Sequence, residues 1–265
     1  MDGEKLVAVV TGAGSGIGYE TAKLLLEKGW EVWDLSRTDR AHPGVKHMSC
    51  DVSKEDRVIT AINLIHSQCG HIDLLISNAG FGISGAVEFT ASEDSHRLIQ
   101  VNLMGADNVT RAVVPYMREN DGGRIIYISS AAAVFPIPFQ AWYSAGKAAL
   151  NAYALALRNE LKPFGISVCV LMPGDIHTGF TAKREKNSEG DDIYSGRIDK
   201  AVSAMEKDEL NGMDPAYVAG KVVKCAYAVH PAPLQTVGFK YKLFMLLKRF
   251  LPERFVNFLL GTIYS

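Results

Sequence analysis

Short apolar runs alternate with longer stretches of helical spacing from residue 6 to about residue 172. In the short runs, apolar residues fill consecutive positions instead of every second one. This pattern is typical of strands that are covered on both faces of a parallel sheet. The predicted strands are residues 6–10, 31–36, 72–77, 124–129 and 166–172.

The stretches between these runs predict helices. Leu24, Leu25 and Leu26 lie in the first helix, and Gly29 suits the position just past its C-terminus. A strand–helix–strand order with right-handed connections builds an α/β fold with a doubly wound parallel sheet, in three α/β/α layers. The predicted helices are residues 17–28, 54–68, 93–119 and 142–161.

The alternation stops after residue 173. Residues 179–212 are polar and charged, with one candidate short helix at 198–207, and are expected to form a substrate lid. Asp214 and Pro215 suit the cap and first position of a further helix. Residues 237–265 mix Phe and Leu with Lys and Arg, which predicts one or two amphipathic helices. We interpret residues 1–265 as a single domain, because no linker or repeat divides them.

Composition excludes several classes of protein. The 265 residues carry 28 Lys and Arg against 29 Asp and Glu, a balance that argues against a protein-wide nucleic-acid surface. The four cysteines form no CxxC pair, so reduced thiols are expected rather than a zinc or redox site. No secretory signal is visible, and no apolar run reaches the ~18 residues of a membrane span. A soluble, cytoplasmic protein is expected.

The first predicted strand runs directly into the segment TGAGSGIG at residues 11–18, and a helix follows. Glycines allow a tight turn and a close approach of the backbone to a pyrophosphate. The free N–H groups and the positive dipole end of the helix then attract phosphate. A P-loop is excluded, because no Gly-Lys-Ser/Thr sequence follows.

This TGxxxGxG turn resembles the one found in the short-chain dehydrogenase/reductase family, which has the dinucleotide-binding Rossmann fold. The resemblance covers residues 6–178, about two-thirds of the chain. It implies an oxidoreductase that uses a nicotinamide cofactor and needs no metal. It also implies that five residues of the turn bind the cofactor: Gly12, Ser15, Gly16, Ile17 and Gly18.

The end of the second predicted strand favours NADP(H) over NAD(H). Members of the resembled family that prefer NAD usually have an acidic residue where Ser36 stands, whereas a basic residue at the position of Arg37 accompanies NADP. A guanidinium group matches a 2′-phosphate in a bidentate way. Asp34 would complicate this assignment if the register of the strand were different. By the same resemblance, Asp51 and Val52 contact the adenine.

Tyr143 and Lys147 lie four residues apart and therefore share one face of a helix. An ammonium group ~4 Å from a phenol, at an effective dielectric near ~20, contributes ~4 kcal/mol before screening. That interaction would lower the pKa of Tyr143 by up to ~3 units from its usual value of about 10. The pair is therefore a candidate acid–base device.

Other short motifs match the resembled family in the same order along the chain. Ser130 lies thirteen residues before Tyr143, the spacing of the catalytic serine in the family, with Ser129 as the neighbour that could be confused with it. Asn102 matches the fourth catalytic member and is expected to hold a water near Lys147. The remaining matches are cofactor contacts at Asn78, Pro173, Ile176 and Thr178, whereas His177 is interpreted as an exposed loop residue.

The resemblance implies hydride transfer between nicotinamide C4 and a carbonyl or carbinol carbon. Tyr143 would exchange a proton with the substrate oxygen, Ser130 would hydrogen-bond that oxygen, and Lys147 would grip the nicotinamide ribose. The apolar segment at residues 131–140, with residues 82–85, favours a hydrophobic ketone or secondary alcohol that is steroid- or lipid-like. Packing of these residues in the core or at an interface is the alternative.

Two other functions remain open at this point. A redox-sensing module without turnover would be expected to lose Tyr143 or Lys147, and both are present. Sugar epimerases and dehydratases share the Tyr-Lys pair but usually have a larger C-terminal domain. The family is commonly dimeric or tetrameric, so a homo-oligomer is expected. The tail at 237–265 would cap the pocket, dimerise or touch a membrane surface, and membrane contact is the least expected of these outcomes.

Overall fold

Seven parallel strands form the central sheet of the computed structural model, which describes residues 5–264. Their order across the sheet is β3-β2-β1-β4-β6-β7-β9, and two short strands, β5 and β8, pair separately. The strands are β1 (Val7–Thr11), β2 (Glu31–Ser36), β3 (Lys46–Ser49), β4 (Leu74–Ser77), β5 (Ile83–Ser84), β6 (Gly123–Ile128), β7 (Ile166–Pro173), β8 (Glu185–Lys186) and β9 (Leu234–Val237). The predicted doubly wound sheet is therefore confirmed. The ends of the five predicted strands differ by at most two residues, and β3 and β9 are two further strands of the sheet that were not among the predicted ones.

The order of the strands reverses between β1 and β4. The chain first builds outward from β1 to β3, then returns to place β4 on the other side of β1. At such a switch point the connections leave in opposite directions, so a crevice opens at the carboxyl ends of the strands. The fold therefore predicts a ligand site beyond Thr11 and Ser77.

Helices cover both faces of the sheet, which produces the predicted three layers. Val7 and Val9 of β1 pack in the core shared with α2, α4 and α5, whereas Ala8 and Val10 pack in the core shared with α1 and α8. The helices are α1 (Gly16–Glu27), α2 (Glu55–Cys69), α3 (Ser92–Ile99), α4 (Gly105–Glu119), α5 (Ala141–Leu161), α6 (Phe180–Lys183), α7 (Arg197–Leu210), α8 (Pro215–Tyr227), α9 (Phe239–Lys248) and α10 (Glu253–Ile263).

The helix predicted at residues 93–119 is interrupted. A π-helical turn at Gln100–Met104 separates α3 from α4 and buries Asn102. Such turns occur mostly where a side chain must be redirected. Hydrophobic spacing alone does not reveal one, because the apolar stripe continues on both sides.

The segment at residues 179–212 is more ordered than its polar composition predicts. It contains α6, the short strand β8 and the fourteen-residue helix α7, which is longer than the expected helix at 198–207. Ile198, Val202 and Met205 of α7 pack with Ala86 in a small core of their own. Strand β8 pairs with β5, and this pairing attaches the segment to the chain that follows β4.

The final residues form two helices, as the tail composition predicts, and Asp214 caps α8 by accepting from the Ala216 amide at 2.7 Å. No residue of α9 is buried. Among the described residues, no helix has the length and apolar character needed to cross a bilayer.

Candidate active site

The glycine-rich turn between β1 and α1 is shaped by backbone geometry that other residues rarely adopt. Gly12 and Gly16 have φ of +71° and +58°, in the left-handed region. A Cβ at Gly18 would lie 2.5 Å from the Gly12 carbonyl oxygen, so α1 can pack this close to the turn only with glycine there. The first turn of α1 carries no acidic residue, so its positive dipole end remains available to an anion.

The end of β4 holds this turn in place. The Asn78 side-chain amide donates to the carbonyl oxygens of Thr11 at 3.0 Å and Gly12 at 3.2 Å. The Thr11 hydroxyl in turn accepts from the backbone amides of Asn78 and Ala79, each at 2.9 Å. These four hydrogen bonds join the two strands that flank the crevice, so Asn78 positions the turn beside it.

The end of β2 presents basic and not acidic groups to the crevice. Asp34 is fully buried, and its carboxylate accepts from the Ala13 amide at 2.8 Å and the Ser36 hydroxyl at 2.6 Å. The same carboxylate lies 2.9 Å from Nδ1 of His47. Asp34 therefore has no free oxygen for a ribose, and the register that would have complicated the cofactor assignment does not occur.

Arg37 and Arg40 both line the cleft beside Ser36. Both are exposed, and a Cβ at Gly14 would lie 3.2 Å from the Cβ of Arg40, which places Arg40 directly against the glycine turn. Sequence reasoning singled out Arg37 and missed Arg40. The only sequence signal for Arg40 is a basic residue three positions after Arg37, and such a residue is not distinguished from an ordinary solvent-exposed charge in a loop.

Asp51 and Val52 follow β3 at the same edge of the cleft. Burial alone would raise the pKa of Asp51, but hydrogen bonds from the Ser53 hydroxyl at 2.8 Å and the Ser53 amide at 3.0 Å, with the nearby Arg37 charge, hold it below its usual range. The carboxylate is therefore ionised and oriented. Val52 packs tightly against Gly105, where a Cβ would lie 2.7 Å from its side chain.

Ser130, Tyr143 and Lys147 line one cleft together with the glycine turn. The Lys147 ammonium donates to the Ile128 carbonyl oxygen at 2.9 Å and lies 5.8 Å from the centre of the Tyr143 ring. Burial lowers the pKa of Lys147 to about 8, because the charged ammonium is poorly solvated there. Helix α5 and the end of β6 thus bring the three predicted groups together.

The pKa of Tyr143 is not lowered as the spacing of the pair predicts. Burial raises the pKa of Tyr143 to about 12, and this effect outweighs the hydrogen bond from Ser130, which lowers it. The charge of Glu209 also raises the pKa of Tyr143, whereas the charge of Arg184 lowers it. The Lys147 ammonium donates to the Ile128 carbonyl oxygen and not to the phenol. Tyr143 is therefore a protonated, neutral phenol at neutral pH.

The two neighbouring serines have different surroundings. Ser129 is buried and its hydroxyl donates to the Lys147 carbonyl oxygen at 3.3 Å, so it fastens β6 to α5. The Ser130 hydroxyl accepts from the Ala132 amide at 3.1 Å and lies close enough to Tyr143 to lower the pKa of its phenol. This geometry favours Ser130 as the serine that reaches a substrate oxygen.

Asn102 lies behind the cleft and is not among its lining residues. Its side-chain oxygen accepts from the Phe81 amide at 3.0 Å, and its side-chain nitrogen donates to the Phe81 carbonyl oxygen at 2.8 Å. Both ends of the amide are therefore engaged with one backbone unit. These contacts position the segment after Asn78, and a water held by Asn102 near Lys147 stays a prediction.

The loop after β7 contributes Pro173, Ile176 and Thr178 to the cleft. Thr178 approaches the glycine turn, because a Cβ at Gly16 would lie 3.4 Å from its side chain. His177 is exposed, does not line the cleft, and donates its backbone amide to the Met213 carbonyl oxygen at 3.0 Å. Its position agrees with the interpretation of an exposed loop residue.

Apart from Asn102 and His177, the predicted catalytic and loop residues described above surround a cleft of about 1300 Å³ at the carboxyl edge of the sheet. The apolar segment expected at residues 131–140 reaches it through Ala131, Ala132, Phe135 and Ile137. Residues 82–85 do not line it, because they pair with β8 instead. The tail helices α9 and α10 add a large apolar wall that includes Phe244, Leu247, Leu251, Val256, Leu259, Leu260 and Ile263.

Comparison with known proteins agrees with this arrangement. The family model for short chain dehydrogenases matches residues 6–189, which include the glycine turn and the Ser130, Tyr143 and Lys147 group. This chain belongs to the short-chain dehydrogenase family. It is therefore an oxidoreductase of a family that binds a nicotinamide dinucleotide and acts on small molecules.

Individual relatives align with this short-chain dehydrogenase over nearly its whole length. The 3-ketodihydrosphingosine reductase of Bacteroides thetaiotaomicron is 36% identical over 264 residues, with 98% of both chains covered. A crystal structure of a short-chain dehydrogenase from Streptomyces avermitilis superimposes with a TM-score of 0.84 at 26% identity, covering 94% of both chains. The 3-ketoacyl-(acyl-carrier-protein) reductase of Brucella melitensis, complexed with NADH, has a TM-score of 0.74 at 26% identity and covers 88% of this chain and 97% of its own.

Sequence reasoning missed the charged residues that close this short-chain dehydrogenase cleft from the side of α6 and α7. Arg184 and Glu209 form an ion pair in which the side chains are only 1% and 15% exposed. Glu209 also accepts from the Thr181 hydroxyl at 2.6 Å, and Lys183 reaches across to the Ser15 hydroxyl at 3.2 Å. In the sequence these residues belong to a polar segment, whose composition predicts a solvent-exposed surface.

The docking of the tail of this short-chain dehydrogenase was also beyond sequence reasoning. Tyr241 lies against Gly174, where any Cβ would overlap its ring, and its hydroxyl hydrogen-bonds the Asp175 carboxylate. It also accepts from the Asp175 amide at 3.1 Å. Phe244 of α9 packs edge-on against Phe135 with ring centres 6.4 Å apart, which joins the tail to the predicted apolar segment. Of the tail's possible roles, capping the cleft is therefore observed.

Proposed function

We propose that this protein is an NADPH-dependent reductase of a hydrophobic, long-chain ketone. The observation that carries this proposal is the position of Ser130, Tyr143 and Lys147 in one cleft with a phosphate-binding turn and an apolar wall. The turn suits the pyrophosphate of a dinucleotide, and the wall suits an alkyl chain. The catalytic residues provide the polar groups that a carbonyl requires.

In the proposed reaction, Tyr143 donates a proton to the carbonyl oxygen of the substrate. A pKa of about 12 keeps its phenol protonated at neutral pH, which suits reduction. The Ser130 hydroxyl, which lines the same cleft as Tyr143, stabilises the negative charge that develops on that oxygen. Lys147 contributes a positive charge beside the phenol, and Asn102 acts as a positioning residue through Phe81.

The chain's residues fit a dinucleotide. Gly12 and Gly16 open the turn, the positive end of α1 attracts the pyrophosphate, and Lys183 adds a cation at Ser15. Ile17, Asp51, Val52, Pro173, Ile176 and Thr178 are the remaining proposed contacts. When bound, the reduced nicotinamide supplies the hydride that the carbonyl carbon receives.

The preference for the phosphorylated cofactor rests on charge. Arg37 and Arg40 supply two guanidinium groups at the end of β2, whereas the nearest acidic side chain of that strand, Asp34, is already occupied by Ala13, Ser36 and His47. A 2′-phosphate there would gain two charge-assisted partners. A ribose without phosphate would lack the acidic acceptor that NAD-preferring sites provide.

The apolar wall from the tail helices supports a long-chain substrate. A small polar ketone would leave Phe244, Leu247 and Leu251 facing water inside the cleft, whereas an alkyl chain would cover them. The similarity to 3-ketodihydrosphingosine reductase over 98% of the chain supports a lipid-like ketone in particular. A steroid-like ketone is the neighbouring alternative within the same chemical class.

Steady-state kinetics test this proposal directly. The initial rate of NADPH or NADH oxidation is measured with long-chain, steroid and short polar ketones. We expect the highest kcat/KM with NADPH and a long-chain ketone. Equal or higher values with short polar ketones would refute the substrate class, whereas a preference for NADH would refute the cofactor assignment alone.

Variants of two tyrosines separate chemistry from folding. Tyr143→Phe is expected to abolish turnover while NADPH still binds, as measured by cofactor fluorescence. Tyr217→Phe is the matched control, because Tyr217 is exposed on α8 and does not line the cleft. Persistent turnover in the Tyr143→Phe variant would show that another group donates the proton.

A further inference from the structure

The outward face of the tail helices is apolar and exposed. Phe239, Leu243, Leu246 and Phe250 recur at three- or four-residue intervals, and Phe239 and Phe250 are 84% and 79% exposed. On α10, Phe255 and Phe258 continue the same character, and Phe258 is 67% exposed. Large aromatic side chains grouped in this way mark a surface that contacts something other than water.

The inward face of the same helices is also apolar, because it lines the cleft. Phe244, Leu247 and Leu251 recur at helical intervals on that side. A helix with two apolar faces is normally buried, yet no residue of α9 is buried. The fold of the described chain therefore covers one face of α9 only in part and leaves the opposite face uncovered.

The charge around this surface indicates what covers it. Residues 237–264 carry five Lys and Arg and one Glu, whereas the whole chain has a net charge of −1. Lys221, Lys242 and Arg249 line a second cavity of about 380 Å³ beside α9, and its other described lining residues are uncharged. Cations next to exposed Phe and Leu are typical of helices that lie in the interface of an anionic bilayer.

We propose that the tail helices lie on a bilayer that contains anionic lipids. The outward face, defined here as Phe239, Leu243, Leu246, Phe250 and Phe258, enters the boundary between headgroups and acyl chains. Lys242 and Arg249 contact lipid phosphates. With ten and eleven residues, α9 and α10 are too short to cross the bilayer and therefore lie along it.

This position gives a lipid ketone direct access to the cleft. Between the bilayer and the cleft, Phe244, Leu247 and Leu251 of the tail form an apolar path beside Lys240 and Lys248, so an alkyl chain can enter the cleft along these three residues. This second part of the inference rests on the proposed function. The binding of the bilayer does not, since it needs no substrate and no turnover.

Vesicle flotation of the full chain tests the binding. The protein is mixed with vesicles of phosphatidylcholine and phosphatidylglycerol, or of phosphatidylcholine alone. We expect flotation with the anionic vesicles and at least about tenfold weaker binding of the variant Phe239→Ser/Phe250→Ser/Phe258→Ser, which loses buried apolar area. The variant Lys242→Glu/Arg249→Glu is expected to lose the preference for anionic lipid.

A control variant also replaces exposed apolar side chains by serine, but at positions outside the tail helices. Val229 and Ile193 are 83% and 69% exposed and lie outside the tail helices, so Val229→Ser/Ile193→Ser is expected to float like the wild type. The oligomeric state of all variants is measured by light scattering. The inference is overturned if the wild type does not float, or if the triple Ser variant floats like the wild type. It is also overturned if the wild type is a dimer that binds no vesicles and that the triple Ser substitution converts to monomers.

Kinetics separate access from catalysis. With a long-chain ketone embedded in the anionic vesicles, the triple Ser variant is expected to lose kcat/KM at least about fivefold, because it no longer concentrates on the bilayer. With a short soluble ketone it is expected to match the wild type, since none of the three phenylalanines lines the cleft. Equal loss with both ketones would overturn the access route. A wild type that reduces neither ketone would refute the proposed function, whereas flotation would still decide the bilayer surface.

Discussion

The ammonium group of Lys147 donates a hydrogen bond to the carbonyl oxygen of Ile128 at 2.9 Å, at the point where β6 ends. Ser129 fastens the same two elements through the Lys147 carbonyl oxygen at 3.3 Å. A buried cation that donates its hydrogen bond to a neutral carbonyl is costly to the fold. Burial of the Lys147 ammonium is therefore expected to lower the stability of the fold, at a position where we propose that its charge acts in the reaction.

Replacing this lysine is expected to stabilise the protein. A pKa lowered from 10.5 to about 8 means that the folded state disfavours the charged form by about 3 kcal/mol. Lys147→Met is therefore expected to raise the free energy of unfolding at pH 7 by about 2 kcal/mol, after loss of one hydrogen bond. Urea unfolding measures this, with Lys200→Met on the exposed face of α7 as the control.

The sign of the pH dependence follows from proton binding. Between the folded and unfolded pKa values, about 8 and 10.5, the unfolded state binds more protons than the folded state. The wild type is therefore expected to gain stability relative to Lys147→Met as the pH rises through this window. A constant difference between the two proteins across the window would contradict the burial of an ammonium.

The direction of catalysis is expected to depend on pH through Tyr143. In the proposed reaction, ketone reduction uses the phenol of Tyr143 and alcohol oxidation uses its phenolate, and the pKa of Tyr143 is raised to about 12. Alcohol oxidation is therefore expected to accelerate about tenfold for each pH unit between about pH 7 and pH 9, while Tyr143 imposes no loss on ketone reduction. Initial rates in both directions at saturating cofactor measure this. An oxidation rate independent of pH would require a different base.

Arg37 is expected to set the choice of cofactor. Arg37→Asp would replace an attractive charge by a repulsive one near the proposed 2′-phosphate, so kcat/KM for NADPH relative to NADH is expected to fall about tenfold to a hundredfold. Arg57→Asp is the control, because Arg57 is exposed on α2 and does not line the cleft. If selectivity persists, Arg40→Asp tests whether the missed arginine carries the preference instead.

The ion pair between Arg184 and Glu209 is expected to hold the segment at residues 179–212 over the cleft. Removing one partner leaves a buried charge without compensation, so Arg184→Met is expected to cost about 3 kcal/mol of local stability. Hydrogen exchange of α6 and α7 measures the loss. The double variant Arg184→Met/Glu209→Leu is expected to recover part of the lost stability. The control Lys46→Met removes an exposed ion pair and is expected to cost less than about 1 kcal/mol. Exchange that is unchanged in Arg184→Met would show that other contacts close the segment.

Gly174 is expected to control the docking of α9. A Cβ at this position would overlap the Tyr241 ring, so Gly174→Ala is expected to release the helix and make residues 239–263 sensitive to proteolysis. Gly220→Ala is the matched control, because no atom lies within 4 Å of its Cβ position and alanine favours the helix. Equal protease resistance in the two variants would show that Tyr241 does not anchor the tail.

The sequence was sufficient for the architecture and for the prediction that most of the candidate site residues lie at one cleft, because both depend on local patterns. Continuous apolar runs such as Ile166–Pro173 specify buried parallel strands, and glycine spacing specifies the turn before α1. The four-residue interval of Tyr143 and Lys147 places them on one side of α5. Each of these signals is read within a few neighbouring residues.

Tertiary structure alone decided the properties that depend on contacts between distant segments. The pKa of Tyr143 rises because the assembled cleft removes its water, which outweighs the neighbouring cation that the sequence makes visible. Arg184 and Glu209 pair because α6 and α7 meet, and Asn102 is redirected to Phe81 by a π-helical turn. Burial and long-range electrostatics have no local signature in the sequence. The sequence therefore reveals which titratable and polar groups are present, but not how strongly their surroundings shift their pKa values or determine their partners.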